Sequence, residues 1–108
     1  MELLMCGLDH VLAPVALRER LSFPPARAVQ VMEAVRRTPE VMGCILLSTC
    51  NRTELYLTVS DQAAVSPARL LCRAAGEEYA PFAAALVSRR GRDCARHLME
   101  AAAGLRSQ

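Results

Sequence analysis

With 108 residues, 53% of them hydrophobic and 22% charged, the chain has the length and balance of one globular domain built on a single core, residues 1–108, and is too short for a second domain of ordinary size. No apolar run nears the roughly 20 residues that cross a bilayer, and the start Met1-Glu2-Leu3-Leu4-Met5-Cys6 lacks the marks of a secretory signal, so the expectation is a cytoplasmic protein with no membrane partner. A net charge of +2 is too small to imply electrostatic capture of nucleic acid, and five widely spaced cysteines argue for reduced thiols over a disulfide framework.

Leu3 to Leu8 is a short apolar run that ends in Asp9-His10, as suits a first strand leaving the core for a loop that holds Pro14. From Ser22 onward, Pro24 and Pro25 fit the first turn of a helix. Ala28, Val31, Met32 and Val35 then recur at helical spacing until Thr38-Pro39 stops the pattern. Gly43-Cys44-Ile45-Leu46-Leu47 is continuously apolar and predicts a central strand covered on both faces. From Thr53 to Val59 the pattern alternates, with Leu55, Leu57 and Val59 on one face and Glu54, Tyr56 and Thr58 on the other. These two strands read as a hairpin with Cys50 at or beside its turn. Ser66-Pro67 resembles an N-cap and first-turn proline for a helix carrying Ala68, Leu71, Cys72 and Ala75 up to Gly76. Phe82 to Val87 predicts a last strand, and Cys94, His97, Leu98, Ala101 and Leu105 mark one face of a closing helix. The order β-α-β-β-α-β-α predicts an α+β fold, ferredoxin-like split βαβ (βαββαβ), with an antiparallel sheet, helices on one face and a C-terminal helix in addition.

The segment Ser48-Thr49-Cys50-Asn51-Arg52 crowds hydrogen-bonding residues around a thiol where a structural turn would more often use glycine, asparagine or aspartate. A cysteine attacks as the thiolate, and nearby positive charge such as Arg52 favours that form. Cys44 and Cys72 lie on apolar stripes, where cysteine behaves as a small inert hydrophobe. A half-buried turn cysteine is the bland alternative for Cys50. The run Arg89, Arg90, Arg92 and Arg96 reads first as a solvated helix entrance and second as a phosphate contact. His97 lies on an apolar face, where a satisfied core histidine is the usual outcome, and Cys94-x-x-His97 offers too few ligands for a metal.

Three collinear blocks carry a resemblance that spans the chain. They are Gly7-Leu8-Asp9-His10 with Ala13-Pro14-Val15 and Arg18-Glu19; Ser48-Thr49-Cys50-Asn51-Arg52-Thr53-Glu54; and Arg96-His97-Leu98 with Ala103-Gly104-Leu105 and Ser107. Together they resemble the N-terminal, substrate-binding domain of glutamyl-tRNA reductase. The resemblance implies an oxidoreductase of tetrapyrrole (porphyrin) biosynthesis. Its cysteine attacks the glutamyl ester of glutamyl-tRNA, and the full enzyme reduces the resulting thioester with NADPH to glutamate-1-semialdehyde. It assigns Cys50 as nucleophile and His97 as a residue important for activity. Thr49, Asn51, Arg52 and Ser107 become contacts of the glutamyl group. Glu54, opposite in face to Leu55, reads as an orienting partner of Arg52 or a wall of the substrate pocket, with a plain solvent-facing strand residue as the bland alternative. Arg52 is the expected specificity residue, since its planar fork can hold a carboxylate through two parallel bonds. His10, Arg18 and Glu19 belong to the first block as pocket or capping residues. The resemblance also implies a homodimer in the full enzyme and glutamate-1-semialdehyde aminomutase as a partner. Gly-x-Gly-x-x-Gly is absent from the sequence, so NADPH is expected on a domain outside this chain, as is dimerisation. Arg106 stands where the family carries an acidic residue. The alternative is a non-catalytic module of the same fold that binds tRNA, haem or a partner protein.

Overall fold

The computed structural model describes residues 1–8, 13–49, 52–61 and 63–106, the last three of these without their side chains. Four strands form one sheet: β1 (Glu2–Leu8), β2 (Val41–Thr49), β3 (Arg52–Val59) and β4 (Leu86–Arg90). Their order is β2-β3-β1-β4, and every neighbouring pair is antiparallel. Helices α1 (Val15–Arg20) and α2 (Pro25–Arg36) lie between β1 and β2, α3 (Pro67–Ala74) lies between β3 and β4, and α4 (Gly91–Arg106) closes the chain. This is the ferredoxin-like split βαβ plan with the expected C-terminal helix, α4, and with the short α1 inserted between β1 and α2.

The pleat of each strand divides the core in two. Leu4, Cys6 and Leu8 of β1 and Leu55, Leu57 and Val59 of β3 pack under α2 and α3 with Val31, Val35, Leu71 and Phe82. On the opposite face, Met5 and Tyr56 pack against Cys94 of α4. The alternation read from Thr53 to Val59 is therefore real, but the second face is not solvent: Tyr56 is 2% exposed because α4 lies over it.

One helix was not anticipated, and two expectations are corrected. Pro14 is outside any helix, as expected, but Val15–Arg20 directly after it is a helix whose first turn bonds back to the Pro14 carbonyl. At six residues and with none buried, it is too short to display an apolar period. The apolar run 43–47 belongs to an edge strand rather than a central one; only Leu46 is buried, and Ile45 is 49% exposed. A continuous apolar run signals two covered faces only where a second layer reaches that far. The last strand is Leu86–Arg90 rather than Phe82 to Val87. Phe82 instead ends a 3-10 turn as a fully buried anchor, and the strand itself is an exposed, arginine-bearing edge. Charged residues on an edge strand blunt pairing with other chains, and they also erase its apolar signature.

The helix ends follow the sequence more closely. Ser66 caps α3, its Oγ accepting from the Arg69 amide at 3.3 Å with Pro67 in the first turn. Gly91 sits directly after β4 with φ +62°, a left-handed conformation that lets the chain turn from strand into α4 with no connecting loop. That turn returns α4 across β1, which brings His97 over the sheet. Among the described residues, no helix is long and apolar enough to cross a membrane.

Candidate active site

Strand β3 starts at the sheet end where β1 finishes and β4 begins, because Glu54 is the Cα partner of Gly7 and Gly7 that of Val87. Arg52, Glu54 and Tyr56 alternate along β3 toward the face that α4 covers. Their side chains converge with one residue of that helix. Glu54 is 5% exposed, and its Oε2 lies 2.5 Å from His97 Nε2. Its other oxygen accepts a hydrogen bond from the Tyr56 hydroxyl at 3.2 Å. Arg52 Nε stands 3.9 Å from that same oxygen, close enough for attraction and too far for a hydrogen bond.

A cleft of about 150 Å³ opens over this group, lined by Met5, Gly7, Leu8, Glu54, Val87, Arg89 and His97. Gly7 makes room for it: a Cβ there would stand 3.3 Å from Glu54 Cγ and 3.5 Å from Oε2, crowding the carboxyl group. Arg89, the Cα partner of Met5, brings an exposed cation to the wall of the cleft.

Burial sets the protonation of the groups around the cleft. Loss of solvent, and then the neighbouring Glu54 carboxylate, raise the Tyr56 phenol well above its ordinary range, so it remains a donor. The same two causes push the Cys94 thiol up to about 11. Burial, with Cys72 next in weight, raises Cys6 further, and burial also raises Cys44 and Cys72. All four thiols are therefore poorly ionised near neutral pH.

The structure places three of the residues singled out in the sequence, Arg52, Glu54 and His97, in one contact group. Thr49 ends β2 as the Cα partner of Arg52. Cys50, Asn51 and Ser107 lie outside the described residues, as does His10. Arg18 and Glu19 are in α1, where their carbonyls accept from the amides of Leu21 and Ser22; the Arg18 Nε is buried with no hydrogen-bond partner among the described residues. Two polar residues of the second block turn out to be structural tethers. Thr53 Oγ1 donates to the Leu21 carbonyl at 2.7 Å, and Ser48 Oγ accepts from the Phe23 amide at 2.9 Å. They lash the segment after α1 to the hairpin.

Sequence reasoning missed Tyr56, Gly7 and Arg89 as parts of this site. Tyr56 was legible in principle, being two residues from Glu54 on the same strand face. Gly7 and Arg89 depend on strand register, which no local pattern encodes.

The family model of the glutamyl-tRNA(Glu) reductase N-terminal domain matches residues 6–108. The chain belongs to the glutamyl-tRNA reductase family. Over all 108 residues it is 39% identical to a glutamyl-tRNA reductase of Acetivibrio thermocellus and 35% identical to one of Alkaliphilus oremlandii. It covers 33% and 32% of those proteins, so it spans about a third of the length of these relatives. In family terms it corresponds to the N-terminal domain, and the contact group of Arg52, Glu54 and His97 draws on the second and third blocks that carried the resemblance.

Proposed function

We propose that this chain is the acyl-transfer domain of a glutamyl-tRNA reductase, in which Cys50 attacks the glutamyl ester. The observation that carries this reading is the convergence of Arg52, Glu54 and His97 at the sheet end where Thr49 and Arg52 pair, the residues that bracket Cys50-Asn51 in sequence. The other four cysteines support it by contrast, since burial holds each of them in the thiol form.

In this reading the Cys50 sulfur forms a bond to the ester carbonyl carbon and the bond to the tRNA ribose oxygen breaks, with the thiol proton passing to that oxygen. An ester is already activated, so a thiolate can displace the hydroxyl without a full triad. Arg52 holds the side-chain carboxylate of the glutamyl group, its terminal nitrogens being uncommitted to Glu54 at 3.9 Å from Nε. Thr49, Asn51 and Ser107 complete the contacts to the substrate. NADPH would supply the hydride that turns the thioester into glutamate-1-semialdehyde. The residues present do not fit that cofactor: all strand pairings among the described residues are antiparallel, whereas a dinucleotide pyrophosphate is held by a parallel β-α-β unit with a glycine-rich turn. The reduction, the homodimer and contact with an aminomutase belong in this reading to the full-length enzyme in the cytoplasm.

The test is mass spectrometry of the protein mixed with glutamyl-tRNA and no reductant, beside Cys50→Ser. A glutamyl adduct on Cys50 that the substitution abolishes is the expected result. A folded protein that gives neither adduct nor deacylation would sink the acyl-transfer reading in favour of a non-catalytic binding module.

A further inference from the structure

Arg89, Arg90, Arg92 and Arg96 fall within eight residues that hold one acid, Asp93, so this segment carries +3, four cations less one anion, where the whole chain carries +2. The structure divides the four. Arg90 is spent on Glu2, 2.6 Å away. Arg89, Arg92 and Arg96 are exposed, with neither an ion pair nor a hydrogen-bond partner among the described residues. Shielding the β4 edge from other strands would account for Arg89, but Arg92 and Arg96 are in α4, where there is no edge to shield. Four positions apart, these two share one helix face, about 6 Å apart along the axis. Cys94 between them is fully buried, so their face is the outer one. Arg89 joins this run to the candidate site: it lines the cleft of Glu54 and His97, and it lines a second cleft of about 280 Å³ with Ser66, Ser88 and Arg90.

Resting on the acyl-transfer reading above, we infer that Arg89, Arg92 and Arg96 form the docking edge for the phosphate backbone of the RNA that delivers the glutamyl group. Cations and hydroxyls along a surface are the groups that hold a nucleic-acid backbone, and they position it without reading its bases. A guanidinium suits this role, since its planar fork can give two parallel hydrogen bonds to one phosphate. An ester on the last ribose reaches this end of the sheet only if the phosphates just before it pass close by, and the three uncommitted arginines run outward from the cleft wall. Ser66 and Ser88 extend the same surface with hydroxyl groups beside Arg89. The small net charge of the chain does not oppose the contact, because salt screens charges beyond about 10 Å and the local run decides it.

The experiment is binding of deacylated tRNA(Glu), followed by fluorescence anisotropy from about 50 to 200 mM salt, for wild type and three triple variants. Arg89→Gln with Arg92→Gln and Arg96→Gln should weaken binding roughly tenfold or more. It should also flatten the slope of log K against log salt by about 2–3, since each lost phosphate contact removes about 0.7–0.9. Arg89→Lys with Arg92→Lys and Arg96→Lys should keep the slope, because lysine still neutralises phosphate as a point charge. Arg36→Gln with Arg37→Gln and Arg73→Gln, three exposed arginines on the helix layer of the opposite sheet face, removes the same charge and should leave the slope nearly unchanged. The single Arg96→Gln, expected to flatten the slope by about 1, carries the test should circular dichroism show the first variant unfolded. An unchanged slope in the glutamine variant, an equal loss in the control, loss of slope in the lysine variant, or a wild type that does not bind this RNA would each overturn the proposal. Deacylated tRNA carries no ester, so the two readings fail separately. RNA held on this edge with no glutamyl adduct from the charged form refutes acyl transfer alone, and an adduct alongside binding that the glutamines leave untouched refutes the docking edge alone.

Discussion

Thr53→Val is the substitution whose effect follows most directly from the geometry. Thr53 is 4% exposed, and its hydroxyl donates at 2.7 Å to the carbonyl of Leu21, itself a fully buried residue. Valine has nearly the same shape, so no cavity forms and the change isolates the hydroxyl. Losing a buried hydrogen bond and leaving its acceptor without that partner costs about 1–3 kcal/mol. For a domain of this size each kcal/mol moves Tm by roughly 4–8 °C, so the melting temperature is expected to drop by at least about 4 °C. Thermal unfolding followed by circular dichroism and urea unfolding both read this directly. Thr53→Ser serves as the companion, since it keeps the donor and loses only a methyl group worth about 0.8 kcal/mol. A Thr53→Val protein with the wild-type urea midpoint and slope would refute the idea that this hydroxyl tethers the segment after α1 to the hairpin. So would a Thr53→Ser protein that is the less stable of the two.

Other expectations concern the thiols and Arg52. The Cys94 thiol is raised from 9.0 to about 11, so the folded state holds its proton more tightly than the unfolded chain. Its contribution to stability is complete below pH 9 and is lost as pH rises from 9 toward 11. Urea midpoints should fall across that window, and less steeply in Cys94→Ala; a midpoint independent of pH there contradicts the burial argument. At pH 8, three units below that value, roughly one Cys94 in a thousand is thiolate. Iodoacetamide should therefore label Cys50 long before Cys94 or Cys6, and peptide mass spectrometry showing the reverse order would count against Cys50 as the nucleophile. Arg52→Lys keeps the charge and loses the fork, so acyl transfer from glutamyl-tRNA should slow by about tenfold, the equivalent of roughly 1.4 kcal/mol. Because the Arg52 side chain is 41% exposed and 3.9 Å from Glu54, the folded protein should lose no more than about 0.5 kcal/mol; equal acyl-transfer rates for lysine and arginine would dismiss the bidentate role.

Much of the site's composition was legible before its shape. The second block crowded polar residues beside a thiol, and Glu54 of that block lines the cleft with Arg52 3.9 Å from its carboxylate. Yet Ser48 and Thr53, which look equally chemical in sequence, are consumed by the backbone of Phe23 and Leu21. A hydroxyl in a polar run serves substrate or scaffold with the same residue type, and only its partner tells which. His97 posed the converse problem. On an apolar helix face it looked like a satisfied core residue, and it is satisfied, but by a buried carboxylate 43 positions away.

The sequence by itself determined the elements whose cause is local. Those are the alternation along β3, the Ser66-Pro67 start of α3, the periodic face of α2, and hence the βαββαβ order. Each depends on neighbours within a turn or a strand pair, so spacing alone encodes it. What only the tertiary structure decided was which surfaces meet. That β2 is an edge, that β4 is an arginine-bearing strand displaced beyond Phe82, and that α4 folds back over Tyr56 all depend on sheet order and on the turn at Gly91. Glu54 is the sharpest case. As an isolated strand residue its polar side belongs in water, and it becomes a buried hub because α4 crosses the sheet there and brings His97 to meet it. Burying a carboxylate is costly unless donors replace the lost water, and those donors come from β3 and α4, elements that only the folded chain brings together.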